Sequence, residues 1–331
     1  MTTLAGRRGD GVELSDVAGV LVRDPTARVG LICNPRSHRN RGSADAIRGH
    51  PGVVAIAPRT RDDLDAALAG FAARGIELLL IDGGDGTVRD VLTAGGAVWP
   101  RDAWPRIAIV PSGKTNALAH DLGIGAGWTR EQAIQAAERQ SLVTRAPLAI
   151  ERPGARRTPL SGFLLGAGAF VRGTELAQRT HRAGAFDNFA VGLSIGWSVL
   201  TTMVGRGDNP WRVGEAMRIS GGGAAIDGDR ARYLALVSTL ERLPVGVRPF
   251  GRPRAGMKLL AIDAPPRRMV LAAPAIVRGS EAAWLPRAGY HRADPQAVTM
   301  HLDRGFVLDG ELYKGGELSI RPGPDLAFVV P

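Results

Sequence analysis

The chain has 331 residues, of which 44% are hydrophobic and 22% are charged, and it carries a net charge of +10. This length allows two domains, and the composition is typical of a globular protein and excludes a disordered chain. A single cysteine excludes an internal disulfide, and the lack of HExxH and CxxC patterns argues against a zinc site. The positive charge suits nucleotide phosphates or anionic phospholipid, whereas the dispersed arginines match no nucleic-acid motif, so we expect no nucleic-acid partner.

Short apolar segments in the first half of the chain predict the strands of a parallel sheet. They are Val29–Cys33, Val53–Ala57, Glu77–Ile81 and Ile107–Val110. Their nearly continuous apolar character is typical of strands covered on both faces. Helices are expected between them, with Thr60 as an N-cap and Thr129 with Gln132 as a capping box. After an N-terminal extension at residues 1–25, these alternating units predict a doubly wound α/β domain at residues 26–145.

The second half of the chain has shorter segments, separated by glycine and proline, that predict a mainly antiparallel β domain at residues 146–331. Its candidate strands include Gly162–Val171, Arg232–Leu240 and Lys258–Asp263. A helical insertion is expected at about residues 186–204, where the apolar stretch Ala190–Val204 falls short of the roughly 18–20 residues needed to span a bilayer. We therefore expect a buried helix there, or an element that contacts the membrane through Trp197. The protein is expected to be cytoplasmic and peripheral at the inner membrane.

The strongest functional signal is a glycine-rich turn, Gly83-Gly84-Asp85-Gly86-Thr87, between a strand and a helix predicted to run from Thr87 to about Leu92. Glycines let backbone N–H groups approach a phosphate closely, and the following helix N-terminus adds partial positive charge. A carboxylate in this position would repel phosphate unless it takes part in metal binding or proton transfer. Asp85 is therefore a candidate catalytic or metal-binding residue.

A second loop between a strand and a helix contains Gly113-Lys114-Thr115-Asn116. It imitates the end of a P-loop, but the glycine that a P-loop needs five residues earlier is Ala108. No GxGxxG follows the first strand, which also disfavours a dinucleotide site. The sequence thus predicts a second phosphate-facing loop that carries a lysine.

Two further motifs are less specific on their own. Asn34-Pro35-Arg36-Ser37 forms a turn after the first strand, compatible with a solvated loop or a ligand site, and Cys33 before it is expected to be buried. Near the C-terminus, Asp309-Gly310-Glu311 is an acidic turn between apolar strands. It is compatible with a simple hairpin tip, or with carboxylates that hold Mg²⁺ or a nucleotide ribose if the chain end folds back on the first domain.

Taken together, in this order, the four motifs resemble the diacylglycerol kinase catalytic family, which includes bacterial lipid kinases, sphingosine kinases and ceramide kinases. The resemblance extends from about Arg28 to Pro331. Related NAD kinases share the element Gly83–Thr87, whereas Leu308–Glu311 and Asn34-Pro35-x-Ser37 are features of the lipid kinases. The resemblance implies a Rossmann-like nucleotide-binding domain with a parallel sheet and a β-sandwich lipid-binding domain. It also implies C-terminal strands, at about residues 312–331, that return toward the cleft between the domains.

The resemblance also implies an activity and roles for individual residues. The candidate catalytic residues are Asp85 and Asp309, either of which is a possible general base, and the candidate Mg²⁺ ligands are Asp85 and Glu311. The residues implied in ATP binding are Asn34, Ser37, Gly83, Gly84, Gly86, Thr87, Gly113, Lys114, Asn116 and Glu311. The implied reaction transfers the γ-phosphate of MgATP to the hydroxyl of diacylglycerol or a sphingoid lipid, at a membrane surface that contains anionic phospholipid. The alternatives are a nucleotide kinase of the NAD kinase type and a catalytically silent lipid- or nucleotide-binding protein; the sequence does not indicate the oligomeric state.

Four positions depart from the family pattern. His38 stands where glycine is usual, and Lys114 replaces a Thr or Ser, where it would either neutralise phosphate or obstruct it. The segment Asn116–Ala119 is similar to the sphingosine kinase version, whereas Thr87 in the glycine-rich turn favours diacylglycerol. Arg254-Ala255-Gly256 replaces an Asp-Asp-Gly that helps to form a structural metal site in some bacterial members, so we expect that structural Mg²⁺ to be absent.

Overall fold

The computed structural model describes residues 28–34, 37, 52–155, 158–182 and 212–331. The expected N-terminal extension lies outside these residues. So do His38 and the insertion predicted at residues 186–204, with the apolar stretch Ala190–Val204 and Trp197.

The first sheet contains the strands predicted in the first half of the chain. Its strands are β1 (Val29–Cys33), β2 (Val53–Ile56), β3 (Leu78–Gly83), β4 (Arg106–Pro111), β5 (Leu142–Arg145) and the last strand, β17 (Leu326–Val329). Among the described residues these six strands have the order β2-β1-β3-β4-β17-β5, and β1 to β4 are parallel. The predicted parallel sheet is confirmed, and its four predicted strands are correct to within two residues.

Among the residues that the structure describes, four helices cover this sheet, and two of them begin where their capping residues predict. The four helices are α1 (Arg61–Ala73), α2 (Asp85–Gly95), α3 (Ala117–Asp121) and α4 (Arg130–Glu138). The predicted N-cap at Thr60 and the predicted capping box at Thr129 are both present, and Thr60 also forms a capping box with Asp63. Helix α2 begins two residues earlier than predicted, because Gly84 adopts an extended conformation and serves as its N-cap. This places Asp85 in the first turn of the helix.

The second sheet is antiparallel and occupies most of the remaining chain. Its strands are β6 (Leu148–Glu151), β7 (Leu160–Gly162), β8 (Leu164–Gly168), β9 (Glu215–Ser220), β10 (Gly228–Ser238), β11 (Lys258–Asp263), β12 (Tyr290–Ala293), β13 (Val298–Leu302), β14 (Phe306–Leu308), β15 (Glu311–Tyr313) and β16 (Gly316–Pro322). Within the described ranges it has eleven strands. The first half of β10 pairs with β9 and the second half with β8, while β11 lies along its other edge, so the sheet curls.

Three more helices pack near this sheet in the described part of the chain, namely α5 (Ala169–Arg182), α6 (Met269–Val277) and α7 (Trp284–Arg287). The start of α5 corrects the prediction of a strand that continues to Val171. Gly168 has φ +70° and a Cβ at this position would lie 2.6 Å from the carbonyl oxygen of Tyr233, so the chain turns here. The apolar residues that follow Gly168 therefore begin a helix.

A shared core connects the two sheets. Leu79 and Val91 from the first sheet and α2 belong to the same buried cluster as Leu164 and Leu236 from the second sheet. The alternate residues of the second sheet, such as Leu165, line a separate core inside the curl, as expected for the period of two along a strand.

The chain crosses between the two sheets near residue 146 and again near its end. β5 lies in the first sheet and β6 in the second, while β17 returns to the first sheet between β4 and β5. Of the segment 312–331, only β17 lies in the first sheet, whereas β15 and β16 remain in the second. None of the helices in the described ranges is both long enough and apolar enough to span a bilayer.

Candidate active site

Three loops meet at the carboxyl ends of the neighbouring strands β1, β3 and β4, where open α/β sheets bind their ligands. Side-chain hydrogen bonds tie these loops together. Asn34 Nδ2 donates to Thr87 Oγ1 at 2.8 Å, and Ser37 Oγ donates to the carbonyl oxygen of Asn34 at 2.9 Å. Ser112 Oγ then donates to Ser37 Oγ at 2.9 Å. The structure thus brings the first three sequence motifs into one site.

The glycines of two loops are in backbone contact. A Cβ on Gly84 would lie 2.9 Å from Gly113 Cα, and a Cβ on Gly113 would lie 2.5 Å from Gly84 Cα. Asn116 adopts a left-handed conformation, with φ +49°, and closes the second loop. Its Oδ1 accepts from Gly113 N at 3.0 Å, and its Nδ2 donates to the Gly113 carbonyl at 2.9 Å. Glycine is therefore required at both contact positions for these loops to approach each other.

The N-terminus of α2 opens at this junction. Gly84 has no side chain to cap the helix, so the N–H groups of the first turn have no side-chain partner from their N-cap. Such N–H groups, with the partial positive charge of the helix end, form a binding site for phosphate.

Asp85 lies at the start of α2, next to the second loop. Its Oδ1 accepts a hydrogen bond from Leu118 N at 3.4 Å, so the carboxylate connects α2 to the beginning of α3. Burial raises the pKa of the Asp85 carboxyl, and the backbone N–H groups near Ala117 oppose this shift.

Asp309 reaches the same site from the second sheet. It occupies a two-residue turn with Gly310 between β14 and β15, and both residues have positive φ, at +46° and +84°. An Asp-Gly pair with this geometry matches the right-handed twist of a β-hairpin. The acidic motif is therefore a hairpin tip, and the tip belongs to the site.

The backbone between β7 and β8 holds the Asp309 carboxylate. Leu164 N donates to Oδ1 at 2.9 Å, and Phe163 N donates to Oδ1 and Oδ2 at 3.1 and 3.0 Å. A Cβ on Gly162 would lie 2.6 Å from Oδ2, so this position also requires glycine. Burial and the charge of Asp85 raise the pKa of Asp309 to about 7, in spite of these hydrogen bonds. The site thus holds two electrostatically coupled carboxyl groups.

Two of the predicted site residues, Lys114 and Glu311, lie at the periphery. Lys114 is exposed on the loop that follows Gly113, and Glu311 is exposed on β15, paired with Leu308. Cys33 is buried as predicted, and burial together with the Asp82 charge raises the pKa of its thiol to about 11. Cys33 therefore stays a neutral thiol at physiological pH.

Several residues that shape the site were missed by the sequence analysis. Gly162 lies inside a strand segment, where an isolated glycine is a signal of close backbone approach. Arg89 is one helical turn beyond Asp85 and is only 6% exposed. Asp82, at the end of β3, accepts from Arg130 Nε at 2.7 Å, which ties the site to α4. The burial of Arg89 is seen only in the structure, because the pattern of residues along the helix does not indicate which distant residues would contact it.

The side-chain oxygens near the glycine loops suit a hard cation that arrives bound to a nucleotide. They suit it better than they suit a metal ion that is held by protein ligands alone. Carboxylate oxygens are ligands that Mg²⁺ accepts, and Asp85 provides them beside the glycine loops. Across the described residues, no three His, Cys, Asp or Glu side chains group closely enough to hold a metal ion by themselves. The residues present therefore fit Mg²⁺ that also has phosphate ligands.

The Arg254–Gly256 loop, which departs from the family pattern, is held by a buried ammonium group. Lys258 Nζ donates to the carbonyl oxygens of Arg254 and Gly256 at 2.9 and 2.7 Å. Burial lowers the pKa of Lys258 to about 8. The positive charge inside the Arg254–Gly256 loop is therefore that of the Lys258 ammonium group.

Comparisons with known proteins agree with this architecture. Residues 28–147 match the family model of the diacylglycerol kinase catalytic domain. No curated protein gives a significant match to the sequence.

Solved structures similar to this chain include one described as a diacylglycerol kinase from Bacillus anthracis strain Sterne. It has a TM-score of 0.61 and 12% sequence identity, and the alignment covers 92% of this chain and 97% of that one. A second structure from the same organism has a TM-score of 0.67 and 13% identity over the same shares of the two chains. At these identities the similarity shows the fold alone. Residues 28–147 are similar to the catalytic domain of the diacylglycerol kinase family.

Proposed function

We propose that this protein is an ATP-dependent lipid kinase that transfers the γ-phosphate of MgATP to the hydroxyl of a lipid, either diacylglycerol or a sphingoid lipid. The observation that carries the proposal is the Asp309 carboxyl, which interacts with Asp85 beside the glycine loops and has its pKa raised to about 7. A general base works best when its pKa is close to the operating pH. Asp309 would therefore accept the proton of the lipid hydroxyl.

The nucleotide would bind across the three loops. The uncapped N–H groups at the start of α2 would receive its phosphates, beside the contact between Gly84 and Gly113. Asn34 and Thr87, joined by a hydrogen bond, would form one wall. Lys114 would add a positive charge at the exposed edge. Phosphoryl transfer needs mainly positioning and charge neutralisation, and these groups supply both.

Magnesium would arrive with the nucleotide and neutralise phosphate charge when bound. Asp85 is the residue that fits it, since its carboxylate lies at the phosphate-binding end of α2. Glu311 stays a further candidate ligand from the exposed strand β15.

The chemical step follows from the position of Asp309. The lipid oxygen forms a bond to the γ-phosphorus while the bond from that phosphorus to the β-phosphate oxygen breaks, which releases ADP. The proton of the lipid hydroxyl moves to the Asp309 carboxylate. The N–H groups of Phe163 and Leu164 keep this carboxylate oriented during the transfer.

Each of the two parts of the chain would bind one of the two substrates. Residues 26–145 would form the nucleotide-binding domain, and residues 146–331 would bind the lipid and return β17 to the first sheet. A protein that acts on a bilayer lipid must approach the membrane, so we propose peripheral association at the inner, cytoplasmic surface. The net charge of +10 favours anionic phospholipid there.

ATP consumption with different acceptors tests the proposal. The purified protein is assayed with Mg²⁺ and ATP in the presence of mixed micelles of diacylglycerol or sphingosine, of empty micelles, or of NAD. The proposal predicts consumption that depends on one of the lipids. Consumption that depends on NAD would assign a nucleotide kinase, and no consumption with any acceptor would favour the silent binding protein.

A further inference from the structure

Arg89 is a buried arginine on α2, four residues after Asp85. Its Nε and Nη2 donate to Asp90 Oδ1 at 3.1 and 2.8 Å. Its Nη1 points to the second sheet and donates to the carbonyl oxygen of Leu308 at 3.4 Å. Leu308 immediately precedes Asp309, so the guanidinium connects the helix that carries Asp85 to the hairpin that carries Asp309.

The opposite strand of the hairpin also contacts this guanidinium. Arg89 Cζ lies 5.8 Å from the centre of the Tyr313 ring, within the range of a cation–π interaction. Tyr313 stacks on Phe306, with ring centres 5.3 Å apart and an angle of 16° between the planes. Arg89 therefore contacts both strands, at Leu308 in β14 and at Tyr313 in β15.

We propose that Arg89 is a positioning residue, which fixes the Asp309 carboxylate relative to Asp85 by linking α2 to both strands of the β14–β15 hairpin. The inference rests on the proposed lipid kinase activity and deepens it. Burying a guanidinium is costly unless its charge and its donors are matched. An apolar side chain would fill this position at a lower cost, so the arginine has a use beyond packing.

A second contact between α2 and the same sheet offers a matched control. Thr93, which is also buried on α2, accepts a hydrogen bond from Ser161 N at 3.0 Å and contacts β7 rather than the hairpin. Thr93→Val keeps the shape of the side chain and removes this connection, whereas Arg89→Met removes the connection to the hairpin. The pair of variants separates general packing of α2 from positioning of Asp309.

The test measures kcat and the KM for ATP of the full-length protein with its lipid acceptor, together with thermal unfolding. Arg89→Met should lower kcat by about 10- to 100-fold, the scale of a misplaced catalytic group, and change the KM for ATP by less than about threefold. Thr93→Val should leave kcat near the wild-type value. In an Asp309→Asn background, Arg89→Met should cause no further loss, because Arg89 acts through Asp309.

Three results would overturn the inference. They are a wild-type kcat in a folded Arg89→Met protein, an equal loss of kcat in Thr93→Val, and full additivity with Asp309→Asn. If Arg89→Met does not fold, Arg89→Lys decides, since it keeps the charge but loses the forked contacts; it should lower kcat, and a wild-type kcat would overturn the inference. A wild-type protein without lipid-dependent turnover would instead refute the proposed function itself.

Discussion

Asp309 is the residue whose ionisation matters most for the proposed chemistry. Its pKa of about 7 means that the carboxyl is about half protonated near neutral pH. Only the ionised form accepts a proton, so kcat should fall about tenfold for each pH unit below 7 and level off above it. A pH profile of kcat measures this. A flat profile between about pH 5.5 and about pH 8 would exclude Asp309 as the base.

The same raised pKa predicts an effect on stability. A carboxyl whose pKa is higher in the folded state than its unfolded value of about 3.9 destabilises the fold as the pH rises through about 7. Asp309→Asn keeps an oxygen to accept from Phe163 N and Leu164 N and removes the charge. Its melting temperature should exceed that of the wild type at pH 8, and the two should converge below the unfolded pKa.

Lys114 distinguishes an active nucleotide site from an obstructed one. The lysine is exposed beside Gly113, at the edge of the proposed phosphate site. If it neutralises phosphate, Lys114→Ala should raise the KM for ATP at least about tenfold, with little change in the KM for lipid, because a charge-assisted contact contributes roughly 1.5–3 kcal/mol. Steady-state kinetics measures both constants. Higher activity in Lys114→Thr would show that the lysine obstructs the site.

The candidate site residues could be predicted from the sequence where they belong to a local motif. They could not be predicted where their role depends on contacts with residues that are distant in the chain. Asp85 was identified because a carboxylate among phosphate-facing glycines conflicts with simple phosphate binding. Arg89 gave no such signal, since its partners Leu308 and Tyr313 are more than two hundred residues away in the sequence. Gly162 likewise became meaningful only when Asp309 was found against it.

The two glycine loops form a single element of the site, because they are in contact through Gly84 and Gly113. A Cβ on Gly113 would lie 2.5 Å from Gly84 Cα, so Gly113→Ala must push the loops apart. We expect the Kd for ATP to rise at least about tenfold, on the scale of a small displacement of binding groups. Isothermal titration measures the Kd.

Gly125→Ala is the matched control for this variant. A Cβ on Gly125, nearby in the chain, would meet nothing within 4 Å. Its affinity for ATP should equal that of the wild type. Unchanged ATP affinity in a folded Gly113→Ala protein would show that the close contact between the loops is not needed for ATP binding.

Secondary structure was predictable where local signals agree with the tertiary fold. Continuous apolar runs predicted β1 to β4, while an N-cap threonine and a capping box predicted the starts of α1 and α4. The prediction was wrong at Ala169, where an apolar run passes from strand to helix at Gly168. Gly168 has positive φ, and a Cβ there would lie 2.6 Å from the carbonyl oxygen of Tyr233, a tertiary contact that no local pattern contains.

The path of the chain end makes the first sheet depend on the whole molecule. β17 lies between β4 and β5, and the core of the first sheet continues into the second. The parallel sheet was predictable from its own sequence, whereas the insertion of β17 was not, since a short apolar strand fits either sheet.

The overall charge predicts how the protein meets a membrane. With a net charge of +10, we expect reversible binding to vesicles that contain anionic phospholipid and weaker binding to neutral vesicles. Binding should decrease with salt, because the Debye length contracts from about 10 Å at 0.1 M to about 3 Å at 1 M. Vesicle flotation at the two salt concentrations measures this. Equal binding to neutral and anionic vesicles would show that electrostatic attraction does not drive the binding.

Transfer of labelled phosphate to a lipid tests the central claim most directly. The wild-type protein and its Asp85→Asn and Asp309→Asn variants are incubated with Mg²⁺, γ-labelled ATP and mixed micelles of diacylglycerol, sphingosine or ceramide, and the lipids are then separated. The account predicts label in one lipid with the wild type, and at least about 100-fold less label with either folded variant, the scale of lost acid–base or metal assistance. Near-normal labelling by the folded Asp309→Asn protein, or no labelled lipid from the wild type, would contradict it.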